Sequence, residues 1–318
     1  MRAMSQKTLA HLQQFRVRYA IGAAILMVWA LYAHTREPVP AFVCGPELRH
    51  SLQESEAEYQ DTVRQRKQMI RKYGPSPAQV EAWPTHGQFY TLWDFFPPAY
   101  QCPHRVTRLG TLGDGGKYIC GMKRVAAKKS CVVYSFGING DSSFEADVLQ
   151  RAPGCEVYGY DFSVKGFGPE ITADPSLALR AHFFPWALGH ADDPTDNPPM
   201  YTLQALMRKN GHSFIDILKI DIEGHEYKSL EAFMDAHAAS GVLPFGQLQL
   251  EIHASGGTEH ESFDVILPWW ERLEKMGLRP FFSEPNLVYV NIAKGVPNLI
   301  EYSFINTRGT HELIADMA

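Results

Sequence analysis

From Cys131 onward, short apolar runs alternate with amphipathic stretches, and this alternation restricts the fold more than any other property of the chain. Runs at Cys131–Phe136, Glu156–Asp161, His182–Ala187, Ile215–Ile222 and Gln247–His253 have the length of strands. Ser143–Arg151, Tyr201–Lys209, His225–Ala238 and Ser262–Met276 carry helical spacing. Strands alternating with helices make βα units, hence a parallel sheet covered on both faces. The end of the chain reads differently. Pro280–Phe282, Leu287–Ile292 and Leu299–Ile305 are strand-like and joined by turns containing Pro and Asn. The expected fold is Rossmann-like α/β, a mostly parallel sheet closed by a C-terminal antiparallel hairpin.

The first strand runs into Ser135-Phe-Gly-Ile-Asn-Gly-Asp141 and then a helix-prone stretch. Gly137 lets backbone approach a ligand, and Gly140 relieves the turn before the helix. The second strand ends at Asp161, close to the ~20-residue offset at which an acid meets ribose hydroxyls. A nicotinamide cofactor calls for G-x-G-x-x-G, which is absent; S-adenosylmethionine tolerates this looser turn. Gly110-Thr-Leu-Gly-Asp-Gly-Gly116 is a tight turn whose backbone amides are candidates to reach the cofactor's carboxylate, with an ordinary hairpin as the plain alternative. Trp186 and Ala187 follow the third strand, where an adenine ring is flanked; a core tryptophan is the alternative there.

Two later strands, Leu218-Lys-Ile-Asp-Ile-Glu223 and Leu248-Gln-Leu-Glu-Ile-His253, alternate apolar with polar residues although central parallel strands are normally apolar throughout. Strand parity puts Lys219, Asp221 and Glu223 on one face, and Gln249, Glu251 and His253 on one face of the neighbour. Ligands of open α/β sheets bind beyond the carboxyl ends of strands, so Asp221, Glu223, Glu251 and His253 form the candidate catalytic group. His253, titrating near neutrality, is the candidate general base; Asp221, Glu223 and Glu251 are the alternative ligands of a divalent ion. Self-satisfied buried pairs are the structural alternative.

Toward the N-terminus, Tyr19–Ala33 is free of charge, with Arg2, Lys7, Arg16 and Arg18 before it. That suits a short signal anchor over 19–34 with a cytosolic tail at 1–18, a cleaved signal peptide being the rival. The rest would face the lumen, an oxidising compartment in which Cys44, Cys102, Cys120, Cys131 and Cys155 are able to pair. Residues 35–100 read as a solvated stalk helix over Glu47–Lys72 followed by an aromatic and Pro-rich strap, 101–306 as the catalytic domain, and 307–318 as a tail. With 30 basic against 35 acidic residues and no basic stretch after the tail, nucleic acid is not an expected partner.

Val133-Tyr-Ser-Phe-Gly-Ile-Asn139, Asp114-Gly-Gly116, Leu218-Lys-Ile-Asp-Ile-Glu-Gly224 and Leu250-Glu-Ile-His253 together resemble the FkbM-like methyltransferases, and among them the branch of methyltransferase-like protein 24. The resemblance spans roughly Cys102 to Asn306. It implies a class I S-adenosylmethionine-dependent fold, membrane anchoring in the secretory pathway, Golgi included, and transfer to hydroxyls of glycans or small molecules. By position, Gly137 and Asn139 match the family's glycine loop, Asp161 its ribose acid, and Asp221 and Glu223 its strand-four signature. Where that family carries an acid two residues before the first glycine, this chain has Ser135, which leaves the methionine end of the cofactor to Asp114 or to backbone groups. Two other classes remain open on the sequence: an inactive scaffold of the same fold, and a Golgi glycosyltransferase, for which only Asp192-Asp193 stands in place of a metal motif.

Overall fold

The computed structural model describes residues 42–254, 262–292 and 295–317. The expected anchor and cytosolic tail lie outside these; among the described residues no helix is long and apolar enough to cross a membrane.

Strands β1 (Val106–Leu109) and β2 (Lys117–Cys120) form an antiparallel hairpin. Seven others make the central sheet: β3 (Cys131–Phe136), β4 (Cys155–Tyr160), β5 (Ala181–Phe184), β6 (Ile215–Ile220), β7 (Phe245–His253), β8 (Leu278–Pro285) and β9 (Leu299–Asn306). Their order is β8-β9-β7-β6-β3-β4-β5. β7, β6, β3, β4 and β5 are parallel; β9 runs antiparallel beside β7, and β8, antiparallel to β9, points the same way as the other five. The order in which strands are added reverses between β3 and β6, the place where such sheets open a crevice.

Helices 203–210, 226–236 and 263–275 cover one face, packing Leu206, Leu230, Phe233, Ile266 and Trp270 with Leu218, Ile220 and Leu250. The other face takes helix 143–151 and the β1–β2 hairpin, with Val133, Val157 and Ile217 against Val148, Leu149, Leu109 and Ile119. That hairpin explains much of the polar alternation. Gln247 on β7 accepts from the Cys120 N–H at 2.9 Å and donates to the Cys120 carbonyl at 3.1 Å, and Gln249 donates to the Tyr118 carbonyl at 3.3 Å. A short hairpin laid over a sheet face has edge groups that need partners, and the glutamines supply them.

Three expectations are corrected. Leu287–Ile292 is helical rather than a strand, because Asn286 caps it: its side-chain oxygen accepts from Tyr289 N–H at 3.0 Å and its carbonyl from Val290 N–H at 2.9 Å. The strand expected over His182–Ala187 ends at Phe184, before Pro185, which has no N–H to give. The helix taken as a solvated stalk, Pro46–Tyr73, is docked on the domain. Buried Arg66 forks onto Glu274 at 2.6 and 3.0 Å and donates to the Phe95 carbonyl at 2.8 Å, while Arg279 grips Glu56 at 2.8 and 2.9 Å. The strap after it buries Leu92, Phe95, Phe96 and Tyr100, with Tyr302 donating to the Phe96 carbonyl at 2.7 Å.

Four cysteines pair as Cys102–Cys120 and Cys131–Cys155; Cys44 is free. The second bond joins direct register partners on β3 and β4.

Candidate active site

The carboxyl ends of β3, β4 and β6 surround a cavity of about 500 Å3, within the range of small-molecule sites. The turn after β3 forms its floor. Gly137, Asn139 and Gly140 have φ of 81, 46 and 79°, all left-handed. Gly137 is boxed in: its N–H donates to the Tyr160 carbonyl at 3.1 Å, and a Cβ there would strike the Asp221 carbonyl oxygen. Asn139 takes the left-handed conformation at moderate cost, as asparagine does more readily than most residues.

Asp161 holds this loop. One oxygen accepts from the amides of Ile138 and Asn139 at 2.8 and 2.9 Å, the other from the N–H and hydroxyl of Ser163, both at 2.7 Å. Burial alone would raise its pKa, but these donors hold the carboxylate below its ordinary value. Ser135 is fully buried beneath the loop and donates to Glu145 Oε1 at 2.5 Å. Lys219 joins them, 3.7 Å from Glu145 and bonded to the Gly137 carbonyl. Glu145, on the following helix, thus pairs with Ser135 and Lys219 behind the loop and does not reach the cavity; sequence spacing gave no reason to single it out.

Of the expected cofactor residues, Asp114, Gly137, Asn139, Asp161, Trp186, Ala187 and Asp221 line the cavity, together with Phe162, Ser163, Leu188 and Met200, which went unnoticed in the sequence. Gly116, Ser135 and Gly140 do not. Gly116 leaves room for the Arg108 guanidinium, which a Cβ would hit; Ser135 lies behind the loop; and Gly140 serves the turn. Phe162, 59% exposed, and Trp186 supply aromatic surface to the cavity, and Lys209 stands 5.4 Å over the Trp186 ring.

Of the expected catalytic group, Asp221, Glu223 and Glu251 line the cavity and His253 does not. His253 is set behind Glu223, its Nε2 3.4 Å from Glu223 and 3.7 Å from Glu251. Buried Glu226 orients it, accepting from the His253 N–H at 2.9 Å and lying 3.3 Å from Nδ1. Burial lowers the pKa of His253, but Glu226 and the other carboxylates outweigh this and raise it. His225 lines the cavity at its edge.

Asp221, Glu251 and Glu301 converge around Lys117, whose side chain is 1% exposed. Lys117 Nζ pairs with Glu301 and lies 3.5 Å from Asp221. Burial opposes its charge; the three carboxylates more than restore it. Burial also pushes these acids up, and Lys117 divides them. Asp221, with Lys117 and Lys219 beside it, falls to about 2, whereas Glu301 rises to about 7 and Glu251, crowded by Asp221 and Glu301, to about 10. Two groups have metal-ligand spacing among the described residues, Asp221–Glu223–His253 and Asp114–Glu251–Glu301. Lys117 already pairs with Glu301 of the second.

The curated relatives include the probable methyltransferase-like protein 24 of Homo sapiens, 28% identical over 194 residues covering 57% of this chain and 51% of that one, and its Rattus norvegicus counterpart, 26% identical over 201 residues covering 59% and 54%. The chain spans about half the length of these relatives. Among solved structures, the O-methyltransferase of a trans-AT PKS multienzyme from Brevibacillus brevis, in complex with S-adenosyl-L-homocysteine, is 14% identical, covering 58% of this chain and 70% of that one, with a TM-score of 0.33. The central sheet has the class I methyltransferase form, and a methyltransferase-domain family model matches residues 54–305. The chain belongs to that methyltransferase-domain family.

Proposed function

We propose that this chain is an S-adenosylmethionine-dependent methyltransferase of FkbM type that methylates a hydroxyl of a glycan or small molecule in the secretory pathway. The observation that carries the reading is the cavity itself. A glycine loop fixed by Asp161, aromatic surface from Phe162 and Trp186, and the acids Asp221 and Glu251 all meet in one chamber at the sheet's carboxyl end. Bound there, S-adenosylmethionine supplies a methyl on a sulfonium sulfur, which becomes a neutral thioether when the methyl joins an acceptor oxygen.

The remaining work falls to this chain's residues. Asp161 spends its four hydrogen bonds on Ile138, Asn139 and Ser163, so it shapes the loop, and a ribose hydroxyl gains it by displacing Ser163. Asp221, ionised beside Lys117, and Asp114 offer negative charge to the sulfonium and ammonium end. Taking the hydroxyl proton suits a group that titrates near neutrality. Glu301, at about 7, is the candidate from beside Glu251, its register partner; like His253, it lies outside the lining of this cavity. A divalent ion, if one takes part, has Asp221, Glu223 and His253 as its ligand set, with Glu226 holding the imidazole from behind.

Two disulfides favour an oxidising compartment and so support a lumenal domain behind a type II, Golgi-type anchor at 19–34. Titrating full-length protein in detergent with S-adenosylhomocysteine tests the cofactor reading. Saturable binding that Asp161→Ala weakens supports it; absence of binding ends it.

A further inference from the structure

We infer that a second, smaller cavity next to Asp114 is the acceptor subsite and that it takes an uncharged polyhydroxylated ring, a neutral sugar in chemical class. This rests on the methyl-transfer reading of the larger cavity. The smaller one, about 200 Å3, lies between the Gly113–Gly116 turn and the start of helix 287–292, with Asp114, Glu284, Asn286, Leu287, Val288 and Glu301 in its wall. Asp114 lines both cavities. Carboxylate oxygens of Asp114, Glu251 and Glu301 lie within 4.8 Å of one another. Glu251 belongs to the larger cavity and Glu301 to the smaller, so the chambers meet at this group of oxygens. A molecule held in the smaller chamber presents its nearest hydroxyl to the place where the larger one ends.

The walls favour a neutral ligand. Both glutamates of the smaller cavity already face a cation, Glu301 with Lys117 and Glu284 with Arg108 at 3.4 Å, and Asp114 has Asn286 Nδ2 at 3.5 Å. An ammonium would compete with charges already in place. An anionic acceptor would meet acids on several sides, an arrangement that excludes by repulsion. Hydroxyls both donate and accept, and suit carboxylate oxygens beside a carboxamide. Leu287 and Val288, 71% and 50% exposed, give the C–H face of a ring an apolar surface.

The test uses full-length protein in detergent, saturated with S-adenosylhomocysteine, and methyl glycosides of neutral hexoses with their uronate and amino-sugar counterparts, followed by saturation-transfer NMR and calorimetry. Binding of a neutral glycoside, without the uronate, is expected. Val288→Trp, which fills the chamber from a half-exposed position, should weaken it at least ~10-fold, or about 1.4 kcal/mol, while S-adenosylhomocysteine affinity holds. Leu287→Ser, at a wall position 71% exposed and outside the cap, should weaken it too, and decides the matter alone if the tryptophan variant does not fold. The assignment is overturned if no neutral glycoside binds, if the charged counterparts bind better, or if binding survives both substitutions. Loss of S-adenosylhomocysteine binding in the unsubstituted chain would bring down the methyl-transfer reading instead, so the two failures are distinguishable.

Discussion

Glu251 and Glu301 stand directly opposite one another across the antiparallel pair β7–β9, two carboxyl groups brought together by register. Like charges so placed repel unless a proton or a cation intervenes. Here both do: Lys117 enters from the β1–β2 hairpin, and the acids keep protons that isolated glutamates would lose.

Lys117→Met should therefore destabilise the domain severely. Removing one partner of a buried ion pair costs about 3–5 kcal/mol because the other charge is left uncompensated. Lys117→Met combined with Glu301→Gln should recover part of that loss. Urea unfolding of the single and double variants reads the coupling directly; additive effects would show that Lys117 and Glu301 act independently.

Glu301 also makes stability depend on pH in a stated direction. Its folded pKa is about 7 against an ordinary 4.5, so in that window the folded chain keeps a proton that the unfolded chain has released. The contribution is present below the unfolded value and is lost as pH rises through about 7. Thermal unfolding across this range should give a flatter profile for Glu301→Gln than for the parent. An unchanged slope would place the proton elsewhere in the cluster.

Gly137 and Gly140 look alike in sequence and should behave differently. Both have positive φ, but a Cβ at Gly137 meets the Asp221 carbonyl oxygen, whereas nothing lies within 4 Å of one at Gly140. Gly140→Ala should cost about 1 kcal/mol from backbone strain alone. Gly137→Ala has to push β3 and β6 apart, and S-adenosylhomocysteine binding should be abolished. Equal losses in the two variants would contradict the geometry.

The contrast shows what was legible beforehand. Period and length located β3, β6, β7 and helix 143–151 almost to the residue, because buried parallel strands leave little freedom of composition. The carboxylates at the strand ends were readable as polar residues where apolar ones belong. Lys117, Glu145, Glu226 and Glu301 were not, since each enters from another element through a contact that no local spacing encodes. Gln249, on the same polar face, and Gln247 serve a hairpin rather than a ligand. The strand expected at Leu287–Ile292 failed because one capping side chain, Asn286, outweighs the β-propensity of Val288 and Val290.

The Cys131–Cys155 bond ties neighbouring strands beneath the cavity. Closing a loop of this size contributes about 3 kcal/mol by restricting the unfolded chain. Cys131→Ala with Cys155→Ala should lower the unfolding free energy by that order, and a reducing agent should lower the melting temperature of the parent but leave a variant lacking both bonds unmoved.

Helix 46–73 provides the last test, of whether the domain begins before the sheet does. Arg66, with a side chain 2% exposed, makes a forked bond to Glu274, which also accepts from Tyr59 and Trp270. Burial would raise the Tyr59 pKa, and the adjoining Glu274 carboxylate adds to it, so the phenol stays a neutral donor. Arg66→Met leaves Glu274 buried with only neutral donors and should cost about 3–5 kcal/mol. Arg66→Met with Glu274→Met, which removes both charges from an apolar surround, should be far closer to the parent. If Arg66→Met alone unfolds like the parent, the helix is a dispensable stalk; the expected loss, measured by urea unfolding, makes it part of the folded unit.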